Sequence, residues 1–228
     1  MANPLVEAHI EAERRLQRAA SVTVQRAWTD LGSWNEDDVA RFLARAVPTV
    51  RAAQRNSVAI TDAFIARYLG RSALGVPFEE IAAKTRNGVD LQEVYRRPFV
   101  TLWTDLKAGR QFDEGLKAAG ARAAGSAAMD VQLAMRETAN YVDQTDSSFN
   151  GYRRVANGGA CAFCNEVDGA WVSYEDVMAL HDHCNCGVEP NTDEELPPRQ
   201  GDAENTAIND HGELGPMLGD PEHNFELL

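Results

Sequence analysis

The sequence predicts a mainly α-helical protein, in which a helical body (residues 1–148) precedes a small α+β subdomain (149–190) and a disordered acidic tail (191–228). Three observations support this organisation. Apolar residues recur at helical spacing in the body, with no Val/Ile/Thr alternation long enough to indicate a strand. All four cysteines lie within one stretch of 26 residues. The tail holds ten acidic residues and one basic residue, a net charge of −9, and lacks a periodic apolar pattern.

The length and composition exclude several classes of protein. With 228 residues, of which 44% are hydrophobic and 25% charged, the chain resembles one globular domain with appendages. No stretch approaches the ~18 consecutive apolar residues of a membrane span, and the first residues lack the pattern of a secretory signal. We therefore expect a soluble protein that is not exported and does not contact membranes. The net charge of −13 argues against nucleic-acid binding as the main role.

The first helices are predicted before Gly70. Apolar residues spaced i, i+4, i+7 indicate a helix that ends at Gly32, and Ser33 followed by Glu36 is typical of a capping box that starts the next one. Pro48 is expected to kink or interrupt this second helix. The apolar positions are Val24, Trp28 and Leu31, then Val39, Phe42, Leu43, Ala46 and Val50, then Ile60, Phe64 and Tyr68.

The later helices are shorter in the prediction, and the body is expected to contain roughly six in all. A short helix covers residues 78–85, and Asp90 caps another that runs to Tyr95. Pro98 occupies the first turn of a further helix, where proline is tolerated. The Ala-rich residues 116–129 permit close helix packing. A final helix presents Val131, Met135 and Val142 on one face.

A concentration of potential metal ligands follows the body. It comprises Cys161, Cys164, His181, His183, Cys184 and Cys186. A C-x2-C pair followed by a second chelating pair supplies the four N/S ligands that a structural zinc site requires. Cys161, Cys164 and His181 are the strongest candidates, whereas Cys184 and Cys186 compete for the fourth position. The strand formers between the pairs predict a strand or hairpin around Trp171, and closure by four protein ligands makes the zinc structural.

Other chemistries for the cluster remain open. Disulfides require an oxidising compartment, so free or redox-active thiols are the main alternative to zinc. The motifs of a zinc protease or zinc deaminase do not occur. Glu166 and His183 beside a metal would suit a metal-dependent nuclease, although the further ligands of such a site are not at the expected spacing. The other histidines, His9, His211 and His223, are expected to be solvated.

The acidic tail has two interpretations. It can act as a solvated extension that keeps the protein soluble. Alternatively, its closing apolar residues Phe225, Leu227 and Leu228 can make it a segment that docks on a partner.

Several motifs together resemble a known family. They are Gly151-Tyr-Arg-Arg154, the Gly158-Gly-Ala-Cys161-x2-Cys164 run, the His181-x2-Cys184-x-Cys186 run, and Val94-Tyr-Arg-Arg-Pro-Phe-Val-Thr-Leu-Trp103. The combination is similar to the MuF-like minor head proteins of tailed bacteriophages, named after protein F of phage Mu, and in particular to the shorter form found in phages of actinobacteria. One departure is that the family commonly has His-Pro before its last Cys-x-Cys, whereas this chain has His181-Asp182-His183 with an added histidine.

The resemblance implies a minor capsid protein that acts in head morphogenesis and is not an enzyme. Such a protein would be assembled in the host cytoplasm and would lie inside the head near the portal. Its partners would be the portal protein, the major capsid protein or a scaffolding protein. DNA contact, as in an internal virion protein, is an alternative for which the pair Arg153-Arg154 is the only local basic feature noted.

Overall fold

The computed structural model describes residues 3–146, 150–156, 164–165, 167–172 and 186–191, together with strands at 207–210 and 216–219. The helices are α1 (Pro4–Thr29), α2 (Glu36–Tyr68), α3 (Phe78–Lys84), a 3-10 turn (Thr85–Gly88), α4 (Leu91–Lys107) and α5 (Phe112–Thr145). The strands are β1 (Tyr152–Val155), β2 (Trp171–Val172), β3 (Gly187–Pro190), β4 (Ala207–Asp210) and β5 (Pro216–Gly219). The predicted mainly helical fold is confirmed, and a small antiparallel sheet follows the helices. Within the described part, no helix has the length and apolar character needed to span a membrane.

The four long helices form a bundle in which α1 runs antiparallel to both α2 and α5. His9 near the start of α1 contacts Thr61 near the end of α2, and Asp30 after α1 pairs with Arg45 in the first half of α2. At the same end of the bundle, the indole of Trp28 donates to the carbonyl of Leu116 near the start of α5. An aromatic cluster fills this end and includes Trp28, Phe42, Tyr95 and Phe99, all at most 1% exposed.

Two prolines are accommodated inside continuous helices, which corrects the predicted breaks. α2 runs through Pro48, whose exposed position leaves the unbonded carbonyl one turn earlier accessible to water. α4 runs through Pro98, so the two predicted helices are one. Tyr95 and Phe99 are fully buried on both sides of Pro98, and this packing outweighs the ~3 kcal/mol that an interior proline costs.

The start of α2 also differs from the predicted capping box. Asn35 is the N-cap, and its side chain accepts a hydrogen bond from the backbone N–H of Asp38. The buried carboxylate of Asp38 in turn accepts from the backbone N–H groups of Ser33 and Trp34. The loop before the helix is therefore held by a side chain inside the helix.

A three-stranded antiparallel sheet closes the other end of the bundle. Its strand order is β2-β1-β3, and Tyr152 in the central strand lies between Val172 and Pro190. The Tyr152 hydroxyl donates to Asn140 of α5 at 2.6 Å, and the sheet shares a buried apolar cluster with α1, α2 and α5. The strand predicted around Trp171 is confirmed as β2.

A second pair of strands lies in the segment predicted to be disordered. β4 and β5 pair antiparallel, with Ala207 opposite Gly219 and Asp210 opposite Pro216. The two strands are close in sequence, so their pairing requires the closure of only a short loop. The composition of the whole tail did not indicate this local pairing.

Candidate metal centre

Two of the predicted zinc ligands lie in the described part of the chain, and both are buried. Cys164 is 1% exposed and Cys186, directly before β3, is 3% exposed. Both belong to the apolar cluster that joins the sheet to the helices, together with Tyr152 of β1 and Val188 of β3. Although Cys164 and Cys186 are 22 positions apart in sequence, the fold places both in one buried apolar cluster beside the sheet.

A cationic side chain contacts one of these sulfurs. Arg154, in the central strand β1, is buried, and its Nη1 donates to the Sγ of Cys186 at 3.8 Å. The amide of Gln132 in α5 donates to the carbonyl of Cys186 at 3.3 Å. A guanidinium beside sulfur favours the thiolate, which is the form of cysteine that binds zinc. The position of Cys186 is consequently set by both the sheet and α5.

The other predicted ligands, Cys161, His181 and Cys184, lie outside the described residues, as does His183. Among the residues that are described, no group of three or more His, Cys, Asp and Glu side chains could hold a metal ion. The buried environment of Cys164 and Cys186 suits thiolate ligands, and a zinc site that includes them stays a prediction.

Arg153, the residue before Arg154, forms an ion pair at the surface of the sheet. Arg153 pairs with Glu189 of β3, and Glu189 also accepts a hydrogen bond from the Tyr68 hydroxyl of α2 at 3.1 Å. Partial burial and the Glu189 charge raise the pKa of Tyr68 above its usual value. The Arg153-Arg154 pair is therefore divided between a surface ion pair and a buried contact with sulfur.

The structure also places a buried titratable pair inside the bundle, and the prediction that His9 is solvated was wrong. His9 is 4% exposed, and its ring stacks on Phe64 with centroids 4.2 Å apart. Glu13, one turn later, accepts hydrogen bonds from Ser57 and Thr61 of α2. Burial lowers the pKa of His9 to about 4 and raises the pKa of Glu13 to about 7.

This pair could have been suspected from its register. His9 and Glu13 are spaced i, i+4 and fall on the same helix face as Val6 and Ile10, which are buried. Two polar residues within an apolar helix face are the sequence signal that could have indicated their burial. The sequence around them does not identify Ser57 and Thr61 as their partners.

A second buried ionic group lies under α4. Arg86, at a left-handed φ of 51°, places its Nε 2.5 Å from Asp130 of α5, and the Tyr95 hydroxyl donates to the other Asp130 oxygen at 2.6 Å. Burial and the adjacent Asp130 raise the pKa of Tyr95 well above its usual value, so it remains a donor. This group of three side chains links the 3-10 turn and α4 to α5, and its role is structural.

Comparison with known proteins identifies a family that matches most of the chain. A family model described as VG15 protein matches residues 2–207, which include the whole helical bundle and all four cysteines. No curated protein and no solved structure matches the chain.

Proposed function

The chain belongs to the VG15 protein family, which is a phage-associated family of viral proteins, and on that premise we propose that it is a minor capsid protein of a tailed phage. The observation that carries the proposal is the family match across both the bundle and the cysteine segment. The MuF-like motifs of the sequence support the finer assignment to head morphogenesis. The protein would lie inside the head and bind the portal through its helical bundle.

A structural zinc completes the proposal. Cys164 and Cys186 would supply two thiolates, and Cys161, with His181 or Cys184, would complete the set. Arg154 would offset part of the negative charge that several thiolates place at such a site. Zinc would then hold the segment between β1 and β3 to the sheet, in a small subdomain that otherwise has few strand residues to stabilise it.

We propose no catalytic role. Buried polar groups such as Glu13, which accepts from Ser57, and Asp130, which pairs with Arg86, are used within the fold. Four protein ligands around zinc would leave no position for a reacting water. A plasmid-cleavage assay with added divalent metal tests this point. Nicking that disappears in His183→Ala would overturn the non-enzymatic assignment in favour of a nuclease.

Metal analysis tests the zinc site. We expect about one zinc per purified chain, because a structural site has four protein ligands and one ion. Cys161→Ser and Cys164→Ser should lose this zinc and unfold at lower temperature. His211→Ala removes a histidine outside the cluster and should retain it. A metal-free wild type that melts at the same temperature as the cysteine variants would contradict the proposal.

Co-purification with the portal protein encoded in the same phage genome tests the assembly role. We expect the full chain to bind, and a chain truncated after Pro190 to bind equally, because the bundle is the proposed contact. Loss of binding in the truncated chain would overturn docking through the bundle and assign it to the tail. Absence of binding by the full chain would contradict the association with the portal.

A further inference from the structure

An exposed basic stripe runs along α1. Arg15, Arg18 and Arg26 are exposed, and with Val22 they fall within an arc of about 80° on the helix surface, over an axial length of about 16 Å. Val22 is 43% exposed and lies between the arginines. We call these four residues the basic stripe.

The arginines of the basic stripe differ from two other surface arginines of the bundle, Arg45 and Arg96. Arg45 pairs with Asp30 at 2.8 Å and Arg96 pairs with Glu36 at 2.9 Å. No ion pair or hydrogen bond joins the side chain of Arg15, Arg18 or Arg26 to another side chain among the described residues. Arg18 has no acidic residue within four positions in the sequence. Glu11 and Asp30, four residues from Arg15 and Arg26, pair with Arg14 and Arg45 instead.

Helix stability alone explains only part of this pattern. Arg26 lies in the last turn of α1, where a cation interacts favourably with the helix dipole. Arg15 and Arg18 lie in the middle of the helix, where that interaction is negligible. Two mid-helix cations and the exposed Val22 that follows them are therefore left for a partner that is acidic and partly apolar.

The tail of the same chain has this chemistry. Residues 191–228 carry a net charge of −9 and end with Phe225, Leu227 and Leu228. The family model matches up to residue 207, so residues 208–228 of this segment lie beyond the match. By contrast, the net charge of −13 makes the whole chain repel a phosphate backbone.

The tail also begins within reach of the basic stripe. Asn191 continues β3, and Gly187 at the start of that strand is packed against the side chain of Ile10 in α1. Arg15 lies only about 8 Å further along the helix axis. Fifteen residues lie between Asn191 and β4. A flexible linker of that length spans about 21 Å on average, and such tethering corresponds to an effective concentration in the millimolar range.

We propose that the acidic tail docks on the basic stripe of its own chain, with carboxylates on the arginines and an apolar tail residue against Val22. Docking would neutralise a cationic surface of α1 that has no ion pair among the described residues, and would keep polyanions from it. Displacement of the tail by an assembly partner would expose the basic stripe. This inference does not depend on the capsid role.

Zero-length carbodiimide cross-linking of the full chain tests the contact. The variant Arg18→Lys puts a reactive amine in the basic stripe, and the tail contains carboxylates but no lysine. Arg67→Lys is the matched control, because Arg67 is an exposed arginine in the last turn of α2, nearer to the root of the tail. At low salt we expect the yield of links to tail carboxylates to be at least about fivefold higher for Arg18→Lys, because only that amine lies in the docking surface.

Two further cross-linking experiments, one at high salt and one with mixed isotope-labelled chains, also test the proposal. The yield should fall to that of the control at 0.5 M NaCl, where the screening length is about 4 Å. Equal yields from both variants at low salt would overturn the proposal. Links that join isotopically light and heavy chains would also overturn it, in favour of a contact between copies.

A DNA mobility-shift experiment separates the tail from nucleic acid as the occupant. Deletion of residues 192–228 should allow a low-salt shift that Arg15→Glu with Arg18→Glu abolishes, while the full chain shows none. An equally strong shift by the full chain through the same arginines would overturn tail docking and identify a nucleic-acid surface.

Discussion

Replacing Glu13 by glutamine should change how the stability of the bundle depends on pH. Both carboxyl oxygens of Glu13 accept from the Ser57 hydroxyl at 2.9 Å, and Thr61 donates to one of them at 3.1 Å. These hydroxyls compensate only partly for lost hydration, so burial raises the pKa of Glu13 from 4.5 to about 7. Glutamine keeps an acceptor for the hydroxyls but removes the titration.

The size and sign of the effect follow from this shift. A group whose pKa is raised on folding stabilises the fold fully below pH 4.5, and this contribution is lost as the pH rises to about 7. At 1.36 kcal/mol per pH unit, the loss is about 3 kcal/mol. His9 acts in the opposite direction, because its pKa falls from 6.5 to about 4 and its contribution is lost as the pH falls through that range. In the wild type the two slopes largely cancel between about pH 4.5 and 6.5.

Urea unfolding followed by far-ultraviolet circular dichroism, at steps from pH 4 to 8, measures the effect. The unfolding free energy of Glu13→Gln minus that of the wild type should rise by about 3 kcal/mol between pH 4.5 and 7.5. The same difference for His9→Gln should fall by about 3 kcal/mol between pH 4 and 6.5. Glu11→Gln, at an exposed position of the same helix, is the control for replacing a carboxylate of α1 that is not buried. A Glu13→Gln difference that varies by less than about 1 kcal/mol would refute the reasoning.

Two further substitutions test the packing of the sheet and the buried ionic group. In Gly187→Ala the added Cβ would lie 2.2 Å from Cγ1 of the buried Ile10, so we expect a loss of about 1–3 kcal/mol in urea unfolding. Gly32→Ala adds a Cβ in open space and is the control; equal stability of the two variants would contradict the close approach. Asp130→Asn leaves the buried Arg86 without its charged partner and should cost about 3–5 kcal/mol. A cost below about 1 kcal/mol would show that this ion pair contributes little.

The fold class was predictable because helical periodicity is a local property. Val39, Phe42 and Ala46 recur at the spacing that places them on one face of a helix, and all three are buried in α2. The number and length of the helices were not predictable in the same way. The local rule for proline holds for an isolated helix, whereas Pro98 is retained by the aromatic packing on both sides of it.

The candidate metal centre was predictable only as a set of residues. The spacing of the cysteines indicates chelation, and the structure places Cys164 and Cys186 in one buried cluster. The contact of Arg154 with Cys186 was not predictable, because it depends on the register of β1 with β3, which pairs Arg154 with Val188. Likewise, the burial of His9 depends on α2 residues about 50 positions away in sequence.

The sequence by itself determined the helical character of the body, the position of the cysteine cluster and the separation of a −9 tail from a nearly neutral remainder. These features follow from the spacing and composition of residues close together in the chain. Only the tertiary structure decided that both prolines lie within continuous helices, that His9 and Glu13 are desolvated, and that no other described helix brings an acidic partner to the arginines of the basic stripe. Each of these depends on which distant segments pack together, because desolvation and charge pairing are set by neighbours in space.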